Sequence, residues 1–332
     1  MENSNGILVY SSSPHKKAPH TTKWIMLNVL AALIPTSIMG IVFFGLNAFL
    51  LIIISLASSV AAEFIYYLIA GKPFREIAKD FDYSSCVTGL LVALTLGTNY
   101  PLYAPVFGSA FAVIVVKLLF GGTGKNFVNP AIVGRIFIFI SFQSVVGSWL
   151  APSIASVTGG TLSTGATTLV NILEYNTLPS LSVWDLLLGT GLSGCIGETC
   201  KLAILLGAIY LAILKIIDIR YPLIMVGTCG LLAVALKGFD FAYFLPSILT
   251  GGLILGAFFM ATDYATTPNT KVGNYVYFAL LGLLCAGLRQ ATNMETVSFA
   301  ILLMNLFVPL IDKFILNRPF GHFKKKKERE SK

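Results

Sequence analysis

Between Trp24 and Leu316 the chain alternates long apolar runs with short polar breaks. Runs long enough to cross about 30 Å of hydrocarbon as helices occupy residues 24–44, 47–70, 104–120, 131–149, 199–217, 221–237, 273–289 and 296–316. Two more, 84–97 and 244–262, are interrupted by glycine and end in Thr, Asn, Asp or Pro. The pattern predicts an all-α polytopic membrane protein of about ten transmembrane helices. An even count puts both termini on one side.

The two halves echo each other. The stretch from Gly89 to Pro101 and the stretch from Gly252 to Tyr264 are each a glycine-rich apolar half-span running into a polar break. With five spans per half the second copy is inverted, a pattern that places broken helices at a central site. Chance likeness between glycine-rich membrane helices is the plainer alternative. The expected organisation is an N-terminal segment (1–23), a first five-helix repeat (24–149), a connecting loop (150–198), a second repeat (199–316) and a basic tail (317–332).

Composition supports lipid as the solvent: 56% of residues are hydrophobic and only 11% charged, against about 25% charged in soluble domains. A net charge of +8 would by itself suggest nucleic acid. Much of it, however, sits in Lys324, Lys325, Lys326, Lys327 and Arg329 just after the last span, where such tails set topology and touch anionic lipid. No nucleic-acid partner is expected. Of the 23 Lys and Arg, only Lys201, Lys237 and Arg289 fall at ends assigned to the outside. Both termini are therefore expected in the cytoplasm, and the loop 150–198, which has no Lys or Arg, outside. The run starting near Trp24 lacks a cleavage signature and reads as a retained span.

Histidines lie only at positions 15, 20 and 322, so no histidine metal site or haem is expected within the membrane. The five cysteines form no Cys-x-x-Cys pair and read as packed thiols, Cys195 and Cys200 least securely. Electron transfer through this chain would need an organic cofactor.

Two sets of residues carry candidate chemistry. The first is Ser163, Thr164, Gly165, Ala166, Thr167 and Thr168 in the loop, where small neighbours let a bulky group approach a threonine hydroxyl. A plain polar linker has the same composition. The second is Glu63, Lys117, Arg135, Glu198 and Asp263 within apolar runs, each costing roughly 2.5–3.5 kcal/mol at a helix centre. Asp263 and Glu198 stand at glycine-broken helix ends, where a carboxylate holds a cation or caps free amides. They are the ion-pathway candidates. The Gly121–Asn126 stretch lacks phosphate-loop spacing and argues against nucleotide binding.

The threonine segment resembles the Ser/Thr-Gly-Ala-Thr site at which a flavin transferase links FMN to threonine through its phosphate. Ser12 to His15, Phe120 to Ala131, Gly194 to Thr199 and Phe258 to Asp263 are likewise similar to RnfD, a membrane component of Rnf-type electron-transfer complexes. The related B component of the sodium-pumping NADH:quinone reductase shares much of this pattern, and the likeness runs from about residue 7 to 320. The resemblance implies FMN on Thr167, a non-covalent riboflavin within the membrane part near Asn126 and Asn129, and the Rnf components A, B, C, E and G as partners. It implies electron relay between reduced ferredoxin and NAD+ coupled to Na+ or H+ translocation, with the nicotinamide and iron–sulfur chemistry on other subunits. The family motif usually carries an acidic residue six positions before the acceptor, and Thr161 stands there. Inverted halves with broken helices also suit a passive channel or secondary transporter, and a purely structural anchor for redox partners is a third reading.

Overall fold

A computed structural model describes residues 20–143, 149–150, 164–165, 168–174, 178–179 and 181–316. The chain runs α1 (Thr22–Phe44), α2 (Leu46–Ile69), α3 (Phe74–Asp80), α4 (Ser84–Leu94), α5 (Ala104–Phe111), continued by a π segment (Ala112–Leu118), and α6 (Pro130–Ser141). A two-residue antiparallel pair, β1 (Trp149–Leu150) with β2 (Thr164–Gly165), precedes α7 (Thr168–Glu174) and α8 (Val183–Leu188). The second half holds α9 (Lys201–Ile213), α10 (Arg220–Leu236), α11 (Phe244–Leu249), α12 (Leu253–Leu255) with a π continuation (Gly256–Met260), α13 (Lys271–Thr292) and α14 (Val297–Phe314).

Four helices, α1, α2, α13 and α14, are long and apolar enough to cross a membrane. A fifth crossing follows if the pair Phe241–Leu249 and Leu253–Met260, bent by 67°, is one broken span. Of the other apolar helices, α10 matches its run, while α4, α6 and α9 are shorter than theirs. Helix α6 has 12 residues where 131–149 was expected, about 18 Å of rise. It starts because the Asn129 side chain accepts from the Ala131 amide and Pro130 takes the first position, and it stops at Phe142, which leaves the helical region. Helix α9 ends before Lys215, whose φ of 56° turns the chain left-handed.

Packing is alike in the two halves. In the first, α4 lies on α1 and α2, α5 on α2, and α6 on α5; in the second, α12 lies on α9, α11 and α13 on α10, and α14 on α13. The halves meet where α1 crosses α9 and α6 meets α14. At the α1–α9 crossing a Cβ on Gly207 would collide with the Ala32 carbonyl, so glycine sets the approach of the two backbones.

In the first half the short helix α4, and in the second the bent α11–α12 pair, leave free backbone groups that are met from far along the chain, as burial in an apolar interior demands. At the end of α4, the Leu94 carbonyl accepts from the Gly197 amide at 2.7 Å and the Leu96 carbonyl from Ile196 at 2.9 Å. At the α11–α12 break, Gly251 has φ +71°, and three charged side chains hold the turn. Lys201 Nζ donates to the Gly251 carbonyl at 2.9 Å, Arg289 Nη1 donates to the Ser247 carbonyl at 3.0 Å, and Glu295 Oε2 accepts from the Gly252 amide at 3.0 Å. Glu295 and Arg289 pair at 2.7 Å.

Candidate functional site

Two chambers flank these breaks. The larger, about 430 Å³, is lined by Thr168 and Leu169 of α7, Arg135 of α6, Glu198 and Lys201 at the entry to α9, and the Thr250–Gly251 turn. It lies within the 300–1,000 Å³ range of small-molecule pockets. Its chemistry comes from the segment Gly194–Thr199. Glu198 Oε1 accepts from the Cys195 amide at 2.8 Å, while Oε2 is buried without a partner among the described residues. Lys201 Nζ is committed to the Glu198 and Gly251 carbonyls. Arg135 makes no ion pair among the described residues, and its guanidinium meets the Cys195 thiol at 4.0 Å.

The second chamber, about 290 Å³, lies between α1, α4, the Thr123–Ala131 segment and the π continuation of α12. Successive glycines with positive φ, at 121, 122 and 124, turn the chain after α5. The Asn129 side chain then donates to the Met260 carbonyl at 2.9 Å, and Asn126 donates to the Val128 carbonyl at 3.0 Å and to Asp263 Oδ2 at 3.5 Å. Asp263 is held loosely, accepting also from the Ala265 amide and the Thr266 hydroxyl at 3.4 Å each. On the opposite wall, Lys117 donates to Glu63 Oε1 at 3.1 Å and to the Ser84 and Ser85 hydroxyls at 2.6 and 2.9 Å. Asp82, beside Lys117, is pushed up by burial but held lower overall by Lys117 and hydrogen bonds from Ser84 and Thr123.

A family model described as the NQR2, RnfD, RnfE family matches residues 9–321. The chain belongs to this family. Among its relatives is a protein of Acetobacterium woodii named as the D component of a Na(+)-translocating ferredoxin:NAD(+) oxidoreductase complex. It is 39% identical, over 97% of this chain and 98% of its own. A proton-translocating counterpart from Clostridium ljungdahlii is 33% identical over 95% of this chain and 96% of its own. The D component of an ion-translocating oxidoreductase complex in Stutzerimonas stutzeri is 36% identical over 90% of this chain and 91% of its own.

In this NQR2, RnfD, RnfE family chain the expected site residues separate into the two chambers. Thr168 and Glu198 face the larger one; Asn126, Asn129 and Asp263 line the smaller. Thr164 and Gly165 form β2. Ser163, Ala166 and Thr167 lie outside the described residues, as does Thr161. Arg135, assigned by the charge rule to the cytoplasmic side, shares a chamber with Thr168 and Lys201, two residues assigned to the opposite side. The three line one chamber and do not stand at opposite ends of the bundle. Lys201 and Arg289, read as span-end charges, are 1% and 3% exposed. The signal that would have found them is their position within or at the edge of apolar runs, close to a glycine break whose carbonyls need donors.

Proposed function

We propose that this chain is the flavin-carrying membrane subunit of an Rnf-type complex, relaying electrons between reduced ferredoxin and NAD+ while Na+ or H+ is moved across the membrane. The observation that carries the reading is the position of the larger chamber, whose wall begins at Thr168, one residue past Thr167. A group esterified to Thr167 through its phosphate would have that chamber as its nearest recess. The residues suit a flavin: a buried carboxylate oxygen without a partner, a guanidinium without a counter-ion among the described residues, and apolar walls from Leu169, Leu192 and Phe139. Bound there, FMN supplies one- and two-electron chemistry that no side chain of this chain offers. The smaller chamber, with Asn126 and Asn129 on one wall, would hold the second, non-covalent flavin, riboflavin.

The matched packing of the two halves supports an inverted five-helix repeat of ten crossings. In that arrangement both termini and the smaller chamber face the cytoplasm, and the loop 150–198 with the larger chamber faces outward. A flavin transferase would then meet Thr167 from outside. The partners are the other subunits of the Rnf complex and membrane lipid. The side chains divide the work. Arg135 and Lys201 bring cations to the outer chamber beside Glu174, Glu198 and Glu295, and Asp263 and Glu198 are the carboxylates that would hold a cation offsetting charge arriving by reduction.

Ultraviolet fluorescence of the denatured chain on a gel, with peptide mass mapping across Thr167, tests the reading. A fluorescent band and a flavin phosphate mass on Thr167 are expected after expression with the transferase. A bare threonine would favour the channel or secondary-transporter reading, which the 67° broken helix pair also suits and which needs no flavin.

A further inference from the structure

The Glu198 carboxylate lies between two glycines. A Cβ on Gly194 would stand 2.6 Å from Oε1, and one on Gly252 would stand 2.8 Å from Oε2. The same Cβ position on Gly252 is 3.8 Å from Arg135 Nη1. A carboxylate oxygen and a guanidinium thus both lie near one backbone position without forming an ion pair. The charged groups around them at the break are committed. Lys201 holds the Glu198 and Gly251 carbonyls, and Arg289 and Glu295 hold each other and the α11–α12 turn. Among the described residues this leaves Glu198 Oε2 buried without a hydrogen bond and Arg135 without an ion pair.

A buried carboxylate oxygen is costly to leave unsatisfied, and the lack of a Cβ at Gly194 and Gly252 is what makes room for the Glu198 carboxylate between them. The arrangement fits a planar ligand edge that presents an N–H next to a carbonyl. An imide has such an edge, and the pyrimidine ring of a flavin ends in one, its N3–H lying between two carbonyls. We propose that Glu198 Oε2 and Arg135 form the seat that reads this imide edge, the carboxylate accepting the N3–H and the guanidinium donating to a neighbouring carbonyl. The Arg135 charge then lies where a reduced ring gathers negative charge and makes reduction easier. The inference rests on the larger chamber being the FMN site, and it is independent of whether Glu198 also holds a cation.

The test uses the full chain carrying Thr167→Val, which takes no covalent flavin, titrated with lumiflavin and with 3-methyllumiflavin while flavin fluorescence quenching is read. The flavinylated parent, whose outer chamber is filled, serves as the blank for any inner site. Lumiflavin is expected to bind about tenfold or more tightly than its N3-methyl analogue, a loss in line with one buried polar group left unpaired. Adding Glu198→Gln retains an acceptor for the Cys195 amide and places an amide donor where Oε2 stood. It should weaken lumiflavin by a similar factor and erase the discrimination. In the flavinylated chain, Arg135→Gln should lower the midpoint potential of the Thr167-bound flavin, with Arg135→Lys restoring part of it. Equal binding of the two lumiflavins, no lumiflavin binding above the blank, or discrimination that survives Glu198→Gln would overturn the seat. Mass mapping of the parent reports separately on the underlying reading. A flavin on Thr167 with no N3 discrimination sinks the seat alone.

Discussion

Lys117 offers a sharp test of what holds the first half together. Its side chain is 2% exposed and that of Glu63 6%, and all three ammonium protons are used: by Glu63 at 3.1 Å, Ser84 at 2.6 Å and Ser85 at 2.9 Å. These contacts tie the end of the π segment to α2 and to the first turn of α4. Lys117→Met keeps the aliphatic stem but strands the Glu63 carboxylate with only the Ser85 hydroxyl, at 2.5 Å. Breaking a buried pair by removing one partner costs about 3–5 kcal/mol, mostly from the charge left behind, whereas replacing both partners is far milder. Lys117→Met should therefore destabilise the chain by about 3–5 kcal/mol. The double variant with Glu63→Gln should recover at least about 2 kcal/mol of that, because no fully buried ion is then left unpaired: Asp82, 3.9 Å from Lys117, is the more exposed partner and keeps its hydrogen bonds from Ser84 and Thr123. Equilibrium unfolding of the purified chain in mixed micelles with rising dodecyl sulfate, followed by helical ellipticity, gives all four corners of the cycle. If Lys117→Met lies within about 1 kcal/mol of the parent, or the double variant is as weak as the single, the pair does not hold these helices.

Other outcomes follow from the same geometry. Gly251→Ala forces a non-glycine residue to φ +71° and drives its Cβ into the Glu295 carboxylate. It should cost more than the roughly 1–2 kcal/mol of a left-handed residue alone, and the same unfolding assay reads it. Gly207→Val should separate α1 from α9 at the Ala32 carbonyl and reduce the yield of folded chain in detergent size exclusion, with Gly227→Val, which meets nothing within 4 Å, as control. Asp263→Asn should bring ferredoxin-driven ion uptake in vesicles of the assembled complex down to background; uptake at the parent level would remove Asp263 from the path. In α8, hydrogen bonds from Ser182 and Thr190 hold the Asp185 carboxyl below its ordinary value of 3.8. A lowered folded value means its support is complete above the unfolded value and fades as pH falls through the folded one. Proteolysis near α8 should rise in acid for the parent, and Asp185→Asn should be cut equally at both pH values.

The break at Gly251 was legible because the apolar run 244–262 is interrupted by glycine, and the stop after α4 because the run 84–97 ends in residues that lipid does not tolerate without partners. What meets those breaks was not. The Gly197 and Ile196 amides reach α4 across about a hundred positions, and no local periodicity records such a contact. Helix lengths were overread for a related reason. Hydropathy continues past Ser141 and Ile213 although the helices end there, so an apolar run bounds a helix without fixing its ends. The charge rule set Arg135 on the side opposite Lys201, with which it shares a chamber, and treated Lys201 and Arg289 as span-end markers, since it counts cations and is blind to the carbonyls Lys201 and Arg289 bind. The chemistry of Glu198 was visible as a carboxylate in a glycine-rich segment, while its open oxygen and the facing guanidinium emerge only when α6, the entry to α9 and the α11–α12 turn come together.

The reach from Gly197 back to Leu94 also sets a timetable for biogenesis. A ribosome adding roughly 5–20 residues per second emits α4 some 5–20 s before the amides that finish it. During that wait the nascent first half sits in the translocon's neighbourhood with the Leu94 and Leu96 carbonyls open. Only arrival of the Gly194–Thr199 segment closes them, so a chain truncated before it is a half-bundle that quality-control proteases can recognise as unfinished.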